Sequence, residues 1–435
     1  MPTTPDPDAP APQLVGAFAP FRHTLFTACW WGSLLAHAAV WLQNITVPYL
    51  VFEMTGSATW LGVAAVAGQA PALIASPLGG VLADRYSRRG LLLATLALKV
   101  IVSFGLYTLW SQGSLQLAPM LALLVLSASA HTVHLSCASA FVAQTVPTRL
   151  FGSAYRLNAI QINLSRAVGP AIAGWLLASF GPGAAFATSG FGYVPFAIVL
   201  LLARPRPIAP AHQEGTFRAI RSGIRAIVGN RALGVPVLTA AVVSFFGSGI
   251  QPLTAGLASD VYRVDAQGFG WLVSSMGISC AVSGLLLAVM GERVARSKSA
   301  RLGLLVYAVG AVLAGTTEVF AIGVGAYVLI GFGHVFVYVS CATSMQLHLT
   351  EELRGRVTSL YMTAIFVAMP AGAQLGGFLG DRIGLPSVLI GYGVALAAYV
   401  ALSKVGLRNF GDLDGELGIA SVAPGVTTPG VRPGT

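Results

Sequence analysis

Apolar stretches of membrane-crossing length recur twelve times along this chain, each cut off by charges or by Pro, Gly and Ser clusters. They fall near 25–51, 58–82, 90–110, 116–145, 157–179, 183–203, 234–258, 268–291, 302–317, 319–347, 357–380 and 385–404. A helix needs about 20 predominantly apolar residues to cross the hydrocarbon core of a bilayer. Each stretch is therefore predicted as one spanning helix, and spans nine and ten are separated only around Glu318. The longest polar interval, 204–233, carries Arg204, Arg206, Arg218, Arg221, Arg225 and Arg231. It divides the chain into two groups of six. The expected fold is an all-α integral membrane protein with two six-helix bundles, at 23–203 and 234–405, joined by a cytoplasmic linker. Residues 1–22 and 406–435, rich in Pro or in Gly, Pro and Thr, are expected to be disordered cytoplasmic segments.

Composition agrees: 9% of the 435 residues are charged and mean hydropathy is +0.76. Soluble proteins carry about 25% charged residues, because their outer surface must be wetted. A soluble enzyme is excluded on that ground. The formal charge of +10 finds its explanation in topology rather than in nucleic acid. With both termini in the cytoplasm, 21 of the 25 Lys and Arg residues lie on that side. Only Arg263 and Arg382 lie opposite, and Lys99 and Arg166 lie within spans. Cytoplasmic loops are enriched in Lys and Arg, so the orientation follows. The four cysteines sit apart in apolar stretches without metal-ligand spacing, and no metal site or cofactor is expected. No phosphate-cradling loop and no His-Glu-x-x-His occurs, which argues against an ATP-driven pump and a membrane metalloprotease.

The halves repeat one another. Asp84, Arg85 and Arg88 after span two match Glu292, Arg293 and Arg296 after span eight, 208 residues later. Arg149 to Gly152, Gly169 and Gly174 match Glu352 to Gly355, Gly372 and Gly377 at an offset of 203. Parallel six-helix repeats are a transporter architecture.

At Gly80-x-x-x-Asp84-Arg85-x-x-Arg88-Arg89 the chain resembles a major facilitator superfamily transporter, whose signature loop lies between spans two and three. Trp41-Leu-Gln-Asn44, Val47-Pro48-Tyr49, Thr55-Gly56-Ser57, Asn163-Leu-Ser-Arg166 and Arg354-Gly-Arg-Val-x-Ser359 are similar to its enterobactin-exporter-like branch of siderophore, macrolide and multidrug efflux proteins. The resemblance implies a secondary exporter of the bacterial cytoplasmic membrane, coupled to protons. It also implies that the signature loop biases the rocking of the halves, and that Gly169, Pro170 and Gly174 form an antiporter-like helix. Asp84 at a helix end suits the positive end of a facing helix dipole, and the arginines suit carboxylates or lipid phosphates.

No Asp or Glu falls in the middle of any span, and Val40 stands where many relatives carry an aspartate. Histidines take up the interior instead. His37 lies in span one, His131 and His134 in span four, and His334 in span ten. In this superfamily spans one, four, seven and ten line the central cavity. His131 and His334 differ by 203, which makes them repeat mates. Gln43, Asn44 and Gln251 are further candidate polar contacts. A charge at a helix centre costs ~2.5–3.5 kcal/mol on the insertion scale, so Lys99 and Arg166 each require a partner or water. Without mid-membrane carboxylates the cavity is expected to favour an anionic or polyoxygenated substrate such as a siderophore. The alternatives are a multidrug or macrolide efflux pump, a metabolite uptake symporter and a non-transporting sensor.

Overall fold

A computed structural model of the chain describes residues 16, 18–72, 86–203, 216–290, 294–405 and 410–414. Every regular element among them is helical. In hydrocarbon no water satisfies backbone N–H and C=O groups, so each crossing must bond within its own helix. Ten described helices are long and apolar enough to cross a membrane. Span one is Thr24–Thr55, span three Arg88–Ser111 and span four Leu117–Thr145. The described part of span two is Ala58–Gln69. Spans five and six form one long element, Phe151–Leu202. It breaks at Gly181, whose φ of 78° lies in the region that favours glycine, and the following Pro182 cannot donate into a continuous helix. The two arms are the two expected crossings.

In the second half, span eight is Ala266–Met290, span nine Arg296–Thr316, span ten Phe320–Leu347, span eleven Glu351–Ile383 and span twelve Leu385–Val405. Span seven begins as Arg231–Val242 and ends at Val261, with π-helical turns at Val243–Ser248 and Leu257–Val261. The helices follow the predicted order with small shifts at their ends.

The segments outside the spans hold more structure than composition suggests. Within the linker, Thr216–Gly229 is a helix, and its Gly223 lies against Leu360 and Arg356 of span eleven. In the tail, Phe410–Leu413 form a turn with Phe410 and Leu413 buried. Asp414 then accepts hydrogen bonds from the backbone N–H and the hydroxyl of Ser297, at the start of span nine. The tail is thus pinned at 410–414, because two apolar residues and a capping carboxylate occur together there. Near the start, Ala19–Arg22 form a short turn with Pro20 buried.

Packing explains the glycine repeat. Gly174 of span five meets Gly270 of span eight so closely that a Cβ on Gly174 would lie 2.3 Å from the Gly270 Cα. Its mate Gly377 of span eleven meets span two, where a Cβ would lie 2.1 Å from the Ala58 carbonyl oxygen. Without a hydrophobic drive between helices in lipid, close backbone approach is what lets such crossings form. Each half's fifth helix therefore crosses the other half's second helix. Both crossings lie toward the end of the molecule away from the chain termini. At that end Leu42, Val51 and Leu61 share one core with Leu253, Tyr262 and Leu385. Nearer the termini, Phe26, Val146, Leu150 and Leu157 form a core confined to the first half.

Candidate functional site

The polar interior of the first half is built by spans one, three, four and six. Gln43 is buried, and its amide nitrogen donates to the hydroxyls of Ser103 at 2.6 Å and Ser189 at 3.2 Å. Its carbonyl oxygen accepts from Ser127 at 3.1 Å. One side chain thus joins four helices, and the structure gives Gln43 a tying role rather than an open polar contact. Asn44, one residue on, is exposed, while Gln251 in span seven is half-buried.

One helical turn below Ser103 lies Lys99, 2% exposed. Its Nζ stands 3.1 Å from Nδ1 of His131 and 5.3 Å from the centre of the Tyr193 ring. The buried amine thus has an imidazole nitrogen and an aromatic face beside it, an arrangement that suits a cation. His131 itself is half-buried.

His37 and His134 are arranged differently. Nδ1 of His37 lies 2.8 Å from the Ser33 carbonyl oxygen. Nδ1 of His134 lies 3.1 Å from the Thr95 hydroxyl oxygen, and the ring packs edge-on against Phe196. His134 is fully buried, so two histidines one turn apart differ in partner, one ring meeting Lys99 and the other Thr95. His334 belongs to a second cluster, in the other half. Its ring lies 4.5 Å from that of Tyr338 and 6.4 Å from that of Tyr307. The Tyr338 hydroxyl is bonded to Ser244 and, at 3.2 Å, to Ser248 on the π-helical turn of span seven. π-turns often accompany functional sites, where they re-aim side chains.

The signature loop is only partly within the described residues. Gly80, Asp84 and Arg85 lie outside them, as do Glu292 and Arg293. Arg88 opens span three, and Arg296 opens span nine. Arg89 donates from Nε and Nη2 to the carbonyls of Leu200 and Leu201, each at 2.6 Å. It therefore closes the C-terminal end of span six, where a cation meets both unpaired carbonyls and the negative dipole end. Arg166 lies in span five, with its side chain outside the described residues. Gly169 and Pro170 are buried, and the indole of Trp41 lies where a Cβ on Gly169 would be 2.6 Å from its ring.

One contact was not anticipated. Asp381, at the end of span eleven, receives the start of span two. Its Oδ1 accepts from the Ala58 N–H at 2.6 Å, and its Oδ2 from the Ser57 hydroxyl at 2.6 Å and the Thr59 N–H at 3.1 Å. Ser57 is the N-cap residue but makes no cap bond of its own. The helix is capped from the other half of the molecule. The sequence signal was the pairing of an acid just past the Gly377-x-x-Gly380 stripe with a Ser at a helix start. Nearby, Tyr262 donates to the Ala314 carbonyl at 2.9 Å, and burial pushes its phenol up to about 12. Asp381 and Ala58 border a cleft of about 340 Å³ whose lining also includes Asp260, Arg263 and Glu318.

Residues 15–417 match the family described as transmembrane secretion effector, within the major facilitator superfamily. The chain belongs to that family. It is a multi-pass membrane transporter and not an enzyme. It is similar to the enterobactin exporter EntS of Salmonella choleraesuis, 24% identical over 399 residues, covering 89% of this chain and 94% of the relative. The enterobactin exporter of Escherichia coli O1:K1 is 23% identical over 365 residues, covering 82% and 86%. Among solved structures, a bacterial homologue of the human lysosomal transporter Spinster, inward-facing and unoccupied, superposes with a TM-score of 0.73 at 14% identity. That superposition covers 91% of this chain and 99% of that one. A nucleoside transporter superposes at 0.70, also at 14% identity, over 87% and 99%. These likenesses establish the facilitator fold. The structure brings Lys99 and His131 of this transporter together and gives His334 a cluster of its own.

Proposed function

We propose that this transporter exports a small, oxygen-rich anionic molecule of the siderophore class across the bacterial cytoplasmic membrane by alternating access, in exchange for protons. The observation that carries this reading is the Lys99–His131 pair in a membrane interior where no span holds a mid-membrane Asp or Glu. A cationic, acid-free interior favours carboxylate, catecholate or hydroxamate oxygens. The likeness to enterobactin exporters over most of the chain supports the same class. With the termini cytoplasmic, as the Lys and Arg distribution implies, the crossings at Gly174–Gly270 and Gly377–Ala58 close the outer face. This is one of the two end states that alternating access requires.

The test is expression of the full chain in a bacterium lacking its own catecholate-siderophore exporter. Restored siderophore secretion under iron limitation, abolished by a protonophore in everted vesicles, is the expected result. Unchanged secretion refutes the substrate class. Resistance to drugs without secretion would establish the multidrug reading, which the aromatic walls at Phe245, Phe246 and Tyr338 also suit.

A further inference from the structure

The hydrogen bonds of the three first-half histidines fix where each ring carries its proton. A carbonyl oxygen only accepts, so Nδ1 of His37, 2.8 Å from the Ser33 carbonyl, must carry hydrogen. The Thr95 hydroxyl donates to the Leu92 carbonyl at 2.9 Å, which uses its single hydrogen. Its oxygen can then only accept from His134, so Nδ1 of His134 carries hydrogen as well. His131 is the reverse. Its Nδ1 faces the Nζ of Lys99 at 3.1 Å, and an ammonium has donors only. Toward an ammonium Nδ1 of His131 can only accept, which leaves the ring proton on Nε2.

We propose that Lys99 is held as an ammonium and presets His131 as an N–H donor that binds a substrate oxygen bearing negative charge. His131 is the substrate-contacting group and Lys99 the positioning residue behind it. Among the described residues no hydrogen bond reaches Nε2 of His131, and the residue is half-buried. Lys99 is too deeply buried, at 2% exposure, to touch a substrate directly. Its charge acts through the imidazole, as an outer partner orients and polarises a ligating histidine. Among the described residues the titratable groups facing the pair are His37 from span one, His134 from span four and Tyr193 from span six, and none of them is a carboxylate. No described carboxylate neutralises an ammonium there, so a cationic substrate is disfavoured at the same place. The inference deepens the anionic-substrate reading above and rests on it.

The experiment uses the full chain in detergent with its histidines ¹⁵N-labelled, the His131 signals being assigned by their loss in His131→Gln. The expected spectrum shows His131 protonated at Nε2 and bare at Nδ1. Lys99→Met removes the donor, and the Nδ1 signal then moves. In parallel, binding of 2,3-dihydroxybenzoate (an anionic catechol) and of tetraphenylphosphonium (a cation) is followed by tryptophan fluorescence. Both His131→Gln and Lys99→Met weaken the catechol at least tenfold and leave or tighten the cation, while Lys99→Arg, which keeps a charged donor, restores most of the catechol affinity. An Nδ1-protonated His131 in the unmodified protein overturns the proposal, as does catechol binding unchanged in His131→Gln. The tautomer measurement needs no transport, so a failure of export with the expected tautomer separates the function from this inference.

Discussion

Removing the Asp381 carboxylate should shift the transporter from the state seen here toward one open on the outer face. Asp381 accepts two backbone N–H groups and one hydroxyl from the first turn of span two, so Asp381→Ala leaves that helix start without its cap. Loss of an N-cap acceptor costs ~0.5–2 kcal/mol, and loss of an anion at a helix N-terminus a further ~0.3–1 kcal/mol at exposed sites. Asp381 is exposed, so solvent screening places the sum near the low end, at about 1–2 kcal/mol. The contact joins the two halves, which part on the outer face in the alternating-access cycle proposed above, so this amount enters that conformational equilibrium directly. A difference of about 1.4 kcal/mol is roughly a tenfold change in population. The assay is electron–electron distance measurement between spin labels at Met54 and Val319, both exposed near the outer ends of opposite halves. Cys29, Cys137, Cys280 and Cys341 are first replaced by serine or alanine. Asp381→Ala should raise the long-distance population about five- to thirtyfold relative to the short one. Ser57→Ala should do so more weakly, and the double variant should fall short of the sum, since both remove one interaction. A distance distribution for Asp381→Ala that overlays the unmodified one refutes the reasoning.

Other substitutions test the remaining contacts. Gly174→Val places a side chain against the Gly270 backbone, where even a Cβ would be 2.3 Å from a Cα. It should make the outer-closed state inaccessible, read as permanent reactivity of outer-facing cysteine probes and loss of flux. Gln43→Leu strips three serines of their common partner. At about 0.6 kcal/mol per membrane hydrogen bond, and more where a buried group is left unpaired, it should lower thermal stability in detergent by ~2–3 kcal/mol. Arg89→Ala uncaps the end of span six and should lower stability by ~0.5–1 kcal/mol, measured by the same melts. Asp414→Ala should release the tail turn from Ser297, seen as faster proteolysis after residue 405 with transport retained.

The fold was legible because membrane crossing imposes a length and an apolarity that print directly into the sequence. Span ten, 319–347 by pattern, runs Phe320–Leu347 in the structure. The repeat offset of 203 proved to have a spatial meaning, since Gly174 and Gly377 each lie where a helix of one half crosses a helix of the other. The site was less legible. Mid-span depth picked out His37, His131, His134 and His334, but depth says nothing of rotation about the helix. One turn separates His131, bonded to Lys99, from His134, bonded to Thr95. Gln43 looked like a cavity group because it is polar on a cavity helix, and only packing reveals three serines around it. The Asp381 contact joins residues 324 positions apart, a separation that no local pattern encodes.

The two crossings of the halves are alike in glycine but not in charge, and this difference gives the outer closure a direction. Span eight, the repeat mate of span two, is capped in its own sequence: Asp265 accepts from the N–H groups of Gln267 and Gly268, each at 3.0 Å. Ser57 stands at the matching place, 208 residues earlier, and borrows its carboxylate from Asp381. At the other crossing the residue matching Asp381 at the 203 offset is Ala178, which has no acceptor to offer. Among the described residues one crossing therefore shows close packing, and the other close packing plus a polar latch. Giving span two a cap of its own should undo the latch without undoing the helix. Ser57→Asp copies the Asp265 arrangement, keeps the first turn of span two capped, and places a second carboxylate beside Asp381. Like charges repel, and Asp381 loses both its hydroxyl donor and its share of the N–H groups. The outer-open population should then rise at least as far as in Asp381→Ala, with thermal stability held closer to the unmodified protein. Combining Ser57→Asp with Asp381→Ser removes the repulsion and should recover part of the closed population. If Ser57→Asp leaves the Met54–Val319 distances unchanged, the contact at Asp381 caps a helix but does not hold the halves together.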